Sequence, residues 1–446
     1  MASYPVRLGL PSLSLFKFPP ASDPPFLPPP PAGTNAFSPP FDIPESWYHA
    51  VLDPKVPITI AAVYAVSAKL LNIYNRKNNK RPWAISKTRA FNAFVIAHNI
   101  FLAVYSAWTF WGMFGALNRT VVSPFAPTGL AGFADSMCRL SGPAGLGNAA
   151  SFSEQSGKWE THSPHTALSA SGQPVNTDTG RLWNEGLAFY GWIFYLSKFY
   201  EVLDTVIILA KGKQSSTLQT YHHAGAMMCM WAGIRYMAPP IWIFCFVNSF
   251  IHALMYTYYT ITAFQIRVPK FIKQTLTTMQ ITQFLVGGSY AMLHSFVYYA
   301  LPVTSNATKK STPSSAVGSQ SSTRVVDGVE SVYVPCIPTS GQNFATWLNV
   351  FYLAPLTYLF MSFFIASYIK RSNAQEKSGG KQDRRLSTTA QTVAQTAEKA
   401  GWDAAKGVQR EIYRAGSEEA VVFEDANPSA KATGKANARV LRSRHA

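Results

Sequence analysis

Apolar residues run along this chain in blocks of the length that crosses a bilayer. Seven can be drawn, over about 56–73, 92–114, 186–209, 217–236, 241–262, 277–299 and 344–369, each close to the ~20 residues an α-helix needs to span hydrocarbon. The pattern predicts an all-α polytopic membrane protein with seven transmembrane helices over 51–370. Two flanking segments lack it. Residues 1–50 include the Pro-rich stretch 19–45 with the run Pro28 to Pro31, and read as an extended, disordered arm. Residues 371–446 read as a basic, largely disordered tail, with 15 Lys and Arg against nine Asp and Glu from Lys370 onward.

Charge orients the blocks. The segment between the first two carries Arg76, Lys77, Lys80, Arg81, Lys87 and Arg89 without an acid, so it is expected in the cytosol. Lys211 and Lys213 follow the third block, and Arg267, Lys270 and Lys273 follow the fifth, again without acids. An odd number of spans then puts the N-terminus in the lumen and the C-terminus in the cytosol. The net charge of +17 is distributed as these topology signals and the tail; no nucleic-acid partner is expected from it. No cleavable signal peptide is evident, because Pro11 breaks the short apolar stretch near the start, so the first span is expected to target the chain.

The long loops 115–185 and 300–343 are rich in Ser, Gly and Pro, mix acids with bases, and hold the sequons at Asn118 and Asn306, which suits insertions facing the lumen. One cysteine lies in each, Cys138 and Cys336, while Cys229 and Cys245 lie in spans. An oxidising lumen favours a bridge between the first two; two unpaired thiols are the alternative.

Polar and ionisable groups inside a bilayer are costly and tend to mark cavities. Here they cluster by depth. Lys198, Glu201, Asp204 and Thr205 sit at spacings of three and four in "KFYEVLDT" and share roughly one helix face. Gln219, His222 and His223 open the fourth span. Asn248, His252, Tyr256 and Tyr259 recur along "NSFIHALMYTYY", Thr277, Gln280 and Gln283 stack along "TTMQITQ", and the second span offers His98 and Asn99. All five groups fall in the cytosolic half of their spans, which one polar pocket open to the cytosol explains. Helix–helix hydrogen bonding is the structural alternative.

Three chemistries fit such a pocket unequally. A di-iron oxidase needs about eight histidines, whereas four of the nine lie outside the spans and His294 lies at the far end of its own. No spacing signals a zinc site, so no metal is expected. Acyl transfer fits better: a neutral imidazole attacks a thioester, Gln219, Asn248 and a second histidine supply donors for oxyanions, and Lys211, Lys213, Arg267 and Lys270 face the phosphates of a coenzyme A carrier. A membrane transporter or scaffold with a polar cytosolic cavity is the alternative, although transporters place their sites near the midplane.

In order and spacing, "KFYEVLDT", "LQTYHH", "NSFIHALMYTYY" and "TTMQITQ" closely resemble the four signature boxes of the very-long-chain fatty acid elongase family, the membrane 3-ketoacyl-CoA synthases of the endoplasmic reticulum. The boxes cover residues 198 to 283. The resemblance implies six helices around a narrow acyl tunnel open to the cytosol. It also implies condensation of a long-chain fatty acyl-CoA with malonyl-CoA to a 3-oxoacyl-CoA two carbons longer, releasing CO2 and CoA. On the family's pattern His222 accepts the acyl group, and His223 and His252 assist. Lys198, Glu201, Asp204, Asn248, Tyr256, Gln280 and Gln283 orient the site or contact the carrier. Gln219 stands where many members have histidine, and members with this QxxHH box often act on polyunsaturated chains. No cofactor is implied. The partners expected are the membrane lipids, the separate reductase and dehydratase of the cycle, and a second copy in a homodimer.

Overall fold

The computed structural model describes residues 5–22, 24, 26–34, 39–164, 166–302, 324–326 and 329–365. The expected tail 371–446 and the sequon at Asn306 lie outside the described residues. Asn118 lies exposed in the last turn of a helix.

Helices α1 (Glu45–Val51) and α2 (Lys55–Lys77) are followed by α3 (Arg89–Thr120), whose first turn is closed by the Thr88 hydroxyl accepting the Phe91 N–H at 3.1 Å. The helix α4 (Gly129–Cys138) and the hairpin β2 (Ala150–Ser153) and β3 (Lys158–Thr161) come next. Then follow α5 (Ala188–Tyr200), α6 (Val202–Ala210) and α7 (Thr217–Arg235). The turn α8 (Ile241–Ile243) leads through a wider π-helical turn, Phe244–Asn248, into α9 (Ser249–Ala263), and α10 (Lys270–His294) follows. Strands β4 (Val297–Pro302), β5 (Arg324–Val326) and β6 (Val329–Pro335) precede α11 (Ser340–Phe364).

Among the described residues four helical stretches, Lys55–Lys77, Arg89–Thr120, Ile241–Ala263 and Ser340–Phe364, are long and apolar enough to cross a membrane. The other three expected blocks are helical as well, but their make-up differs. The block at 186–209 is divided at Glu201, and α7 and α10 carry the polar residues noted above. The block 277–299 needs correction: its helix starts at Lys270 and stops at His294, and Val297–Pro302 is a strand. An unbroken apolar run hides that change of period, because a strand paired on both edges is as apolar as a helix.

One end of the bundle carries the basic loops. There Asn75, fully buried, donates to Leu209 O at 2.8 Å and Lys213 O at 3.1 Å and accepts from Trp83 Nε1, which ties the α2–α3 loop to the α6–α7 loop. Gly212, at φ +74°, lies so close to Lys80 O that a Cβ would sit 2.4 Å from it.

The opposite end is more ordered than Ser, Gly and Pro suggest. A sheet of order β1-β4-β6-β5, with β1 spanning Val6–Leu8, is antiparallel throughout and pairs Tyr299 with Val6 on one side and with Val334 on the other. Cys138 and Cys336 are joined in a disulfide, with Cα atoms 4.9 Å apart. Beneath it Arg181 spends all five N–H donors: on Pro143 O, Asp135 O, Arg139 O, Gly145 O and, at 2.6 Å, Asp135 Oδ2. Tyr299 donates to the other oxygen of Asp135 at 2.9 Å, and burial raises the Tyr299 pKa. Glu154 of the hairpin accepts from the N–H and hydroxyl of Ser340 and so caps α11.

The disordered arm also needs correction for its described residues. Trp183 Nε1 donates to Leu27 O at 3.0 Å, Arg235 donates to Ser22 O and Pro24 O, and Leu27 is buried in the main core. Proline removes the arm's own donors, so side chains of distant helices hydrogen-bond its carbonyls.

Candidate active site

Helix α7 begins after Ser216, whose hydroxyl accepts the Gln219 N–H at 3.1 Å. Its second turn carries His222 and His223. Neighbouring helical residues point about 100° apart, so the two imidazoles serve different neighbourhoods.

His223 joins a buried ionic cluster. Glu201, at the junction of α5 and α6, is 1% exposed. Its Oε1 accepts from Lys198 Nζ at 2.7 Å and from Ser197 Oγ at 3.1 Å, and lies 3.5 Å from His252 Nδ1 of α9. Its Oε2 lies 3.9 Å from His223 Nδ1. Lys198 also donates to Asn248 Oδ1 at 3.4 Å and rests over the Phe194 ring. The Gln219 amide nitrogen is 2.8 Å from His223 Nε2. An amide nitrogen can only donate, so Nε2 accepts and the His223 proton sits on Nδ1, facing Glu201. Glu201 Oε2, His223 Nδ1 and His252 Nδ1 are shielded from solvent, and among the described residues none makes a close hydrogen bond, the imidazole nitrogens standing 3.9 and 3.5 Å from the carboxylate.

Beside this cluster, Asp204 bridges two helices: His98 Nε2 of α3 is 2.7 Å from one carboxylate oxygen, and Tyr256 of α9 donates to the other at 2.6 Å. Tyr64 of α2 and Thr205 share a hydroxyl hydrogen bond of 2.8 Å. These contacts hold α2, α3, α6 and α9 around the histidines.

His222 faces α11. Its Nδ1 is 3.1 Å from the Tyr352 hydroxyl, which donates its one proton to the His222 carbonyl at 2.9 Å. The phenol oxygen is therefore the acceptor for Nδ1–H, which leaves the lone pair on Nε2. Phe284 and Phe360 lie around the ring at 6.4 Å between centroids. Among the described residues no hydrogen bond engages Nε2. Helix α7 reaches α11 this closely because residue 225 is glycine; a Cβ there would stand 2.1 Å from the Tyr352 ring.

The structure thus brings together Lys198, Glu201, Gln219, His222, His223, Asn248 and His252, with Asp204 and Tyr256 adjoining. Others lie apart. Gln280 donates to Met255 Sδ at 3.4 Å; Gln283 lines an apolar cleft of about 590 Å³ between α9 and α10, with Oε1 unpartnered; Tyr259 is partly exposed beside Tyr256 and Tyr258. Lys211, Lys213 and Arg267 are exposed in the basic loops and Lys270 at the start of α10; partial burial, and then Lys213, lower the pKa of Lys211. Among the described residues no three His, Cys, Asp or Glu side chains are arranged to hold a metal ion. Tyr352 is the site residue that sequence reasoning missed. It stands in the largely apolar run "NVFYLAPLTYLF", where its hydroxyl is not set apart from those of Thr357 and Tyr358.

Comparison with known proteins finds relatives of this chain among fatty acid elongases. Fatty acid elongase 2 of Trypanosoma brucei brucei is 28% identical over 206 residues, 45% of this chain and 64% of that protein. Very long chain fatty acid elongase 3 of Homo sapiens is 33% identical over 110 residues, 25% of this chain and 41% of that protein. Very long chain fatty acid elongase 4 of Mus musculus is 41% identical over 116 residues, 25% of this chain and 37% of that protein. The chain therefore matches from about a third to just under two thirds of the length of these relatives. The model of the ELO: GNS1/SUR4 family matches residues 49–376, which include every helix that carries the site, and the chain belongs to that family.

Proposed function

We propose that this chain is a very-long-chain 3-oxoacyl-CoA synthase, condensing a long-chain fatty acyl-CoA with malonyl-CoA. The observation that carries the reading is His222, held by Tyr352 through Nδ1–H with Nε2 unengaged, beside a buried cluster with polar atoms to spare. Nε2 attacks the thioester carbonyl, a C–N bond forms, and the C–S electron pair leaves with the coenzyme A sulfur, which takes a proton from water. Malonyl-CoA then loses CO2, and the electron pair of the broken C–C bond is held as a thioester enolate. Gln219, Asn248, His252 and Lys198 are the donors for the developing oxyanions. The enolate carbon attacks the acyl carbon, the C–N pair returns to Nε2, and the product is a 3-oxoacyl-CoA two carbons longer.

The same reading takes all seven helical blocks as spans in the endoplasmic reticulum membrane, with the N-terminus in the lumen and the C-terminus in the cytosol. Helix α3, the α5–α6 pair, α7, α9, α10 and α11 then enclose the acyl tunnel, and Lys211, Lys213, Arg267 and Lys270 bind the phosphates of the carrier. Gln219 inclines the site toward unsaturated chains. No cofactor takes part, because reduction and dehydration belong to partner enzymes; a homodimer is compatible with the scheme.

The test is incorporation of labelled malonyl-CoA by microsomes expressing the chain, offered saturated, monounsaturated and polyunsaturated acyl-CoAs. Products two carbons longer that vanish in His222→Ala are expected. No elongation of any acyl-CoA by correctly inserted protein would sink the reading and favour the transporter or scaffold alternative.

A further inference from the structure

The family match begins at residue 49, yet residues 6–18 before it are held in place with most of their large apolar side chains turned outward. Leu8 is 70% exposed, Leu10 84%, Leu13 87% and Phe18 81%. Their backbone is fixed by polar groups. Strand β1 pairs with β4, Gly9 N–H donates to Phe296 O at 2.8 Å, and Asn343 Nδ2 of α11 donates to Leu15 O at 3.0 Å. Phe16 packs on Trp347 and Phe18 on Phe344, both in the first turns of α11. A folded segment that spends its hydrogen bonds inward and points four large apolar side chains outward has an apolar neighbour to meet.

We infer that residues 6–18 form a strap that lies in the membrane interface around the sheet end of α10 and α11, its side chains seated among lipid acyl chains. Continuity carries this. Helix α11 is one of the four helices with the length and composition of a membrane span, and Phe351, one turn beyond Trp347, is 70% exposed on it. Phe16, Trp347 and Phe351 are linked ring to ring, so the apolar surface of the strap runs into that of the helix without a polar break. On the other side Leu8, Gly9 and Leu10 complete an apolar notch of about 650 Å³ with Tyr290, Leu293 and Phe296. Arg7 stacks over Tyr333 at 3.9 Å, and Lys17 is exposed between Phe16 and Phe18. This is the composition of an interfacial anchor, with apolar residues in the acyl boundary and basic residues toward the headgroups.

The experiment uses the full chain in phosphatidylcholine nanodiscs holding one copy each. Single cysteines at Leu13→Cys, Phe18→Cys and, as a control in the exposed β2–β3 turn, Gln155→Cys are labelled with a nitrobenzoxadiazole maleimide; the native Cys229 and Cys245 are buried. Lipids carrying a nitroxide high on the acyl chain are then added. Loss of most of the emission at 13 and 18, with little loss at 155, is expected. Little quenching at 13 and 18, or equal quenching at all three, overturns the inference. If 13 and 18 escape the nitroxide and become shielded only in discs holding two copies, the strap is a contact between chains, and the lipid assignment falls.

Discussion

Two buried ionic clusters stand at opposite ends of this bundle, and they are completed to different degrees. At the sheet end Arg181 uses every donor, Asp135 is held through both oxygens, and Arg139 donates to the carbonyls of Cys336 and Pro335. Around Glu201, one carboxylate oxygen and the Nδ1 atoms of His223 and His252 are shielded from solvent and, among the described residues, make no close hydrogen bond. Buried polar groups left unpaired are expensive, so proteins keep few of them and tend to keep them where something must bind. A closed network fixes geometry. An open one leaves capacity for a thioester oxygen or an enolate.

The contrast predicts opposite responses to mutation. His222→Ala should lower condensation by at least about 10⁴-fold, about 5.5 kcal/mol, with an unchanged unfolding midpoint; a fall in midpoint with turnover retained would break the comparison. Arg181→Met should do the reverse, costing about 3–5 kcal/mol of stability by leaving Asp135 buried without its counter-ion, while the protein that remains folded turns over normally in the labelled-malonyl assay. Replacing both Cys138 and Cys336 by serine should cost about 2–4 kcal/mol, read by denaturant titration, again with turnover intact. Tyr352→Phe is the finest probe. Losing the acceptor for His222 Nδ1–H should slow acylation about tenfold, the worth of one hydrogen bond, with the KM for acyl-CoA unmoved. Since His222→Ala tests the acyl carrier itself, a wild-type rate in Tyr352→Phe would reject only the orienting role.

Much of the site was readable because polar residues at helical spacing stand out in apolar runs. Lys198, Glu201, Gln219, His222, His223 and His252 do converge, and His98 finds Asp204 from another helix. What stayed hidden has physical causes. Tyr352 differs from its neighbours by one hydroxyl, and only its approach to α7 across Gly225 gives that hydroxyl a role. Gln280 and Gln283 share the spacing of site residues, but their face of α10 turns toward Met255 and the cleft beside α9. The arm reads as disordered because its partners, Trp183 and Arg235, lie more than a hundred residues away.

The Cys138–Cys336 bond joins positions 198 apart; the ionic cluster from Lys198 to His252 falls between them, whereas His98, Tyr64, Tyr352 and Phe360 lie outside. The segment that carries the Glu201 cluster and His222 is therefore a closed covalent loop, while Tyr352, which bonds His222, enters from outside that loop. A single backbone cut anywhere from 139 to 335 leaves both fragments attached. A cut between Cys336 and Tyr352 frees α11 from the loop, so the same number of broken bonds has unequal effects depending on which side of one sulfur it falls.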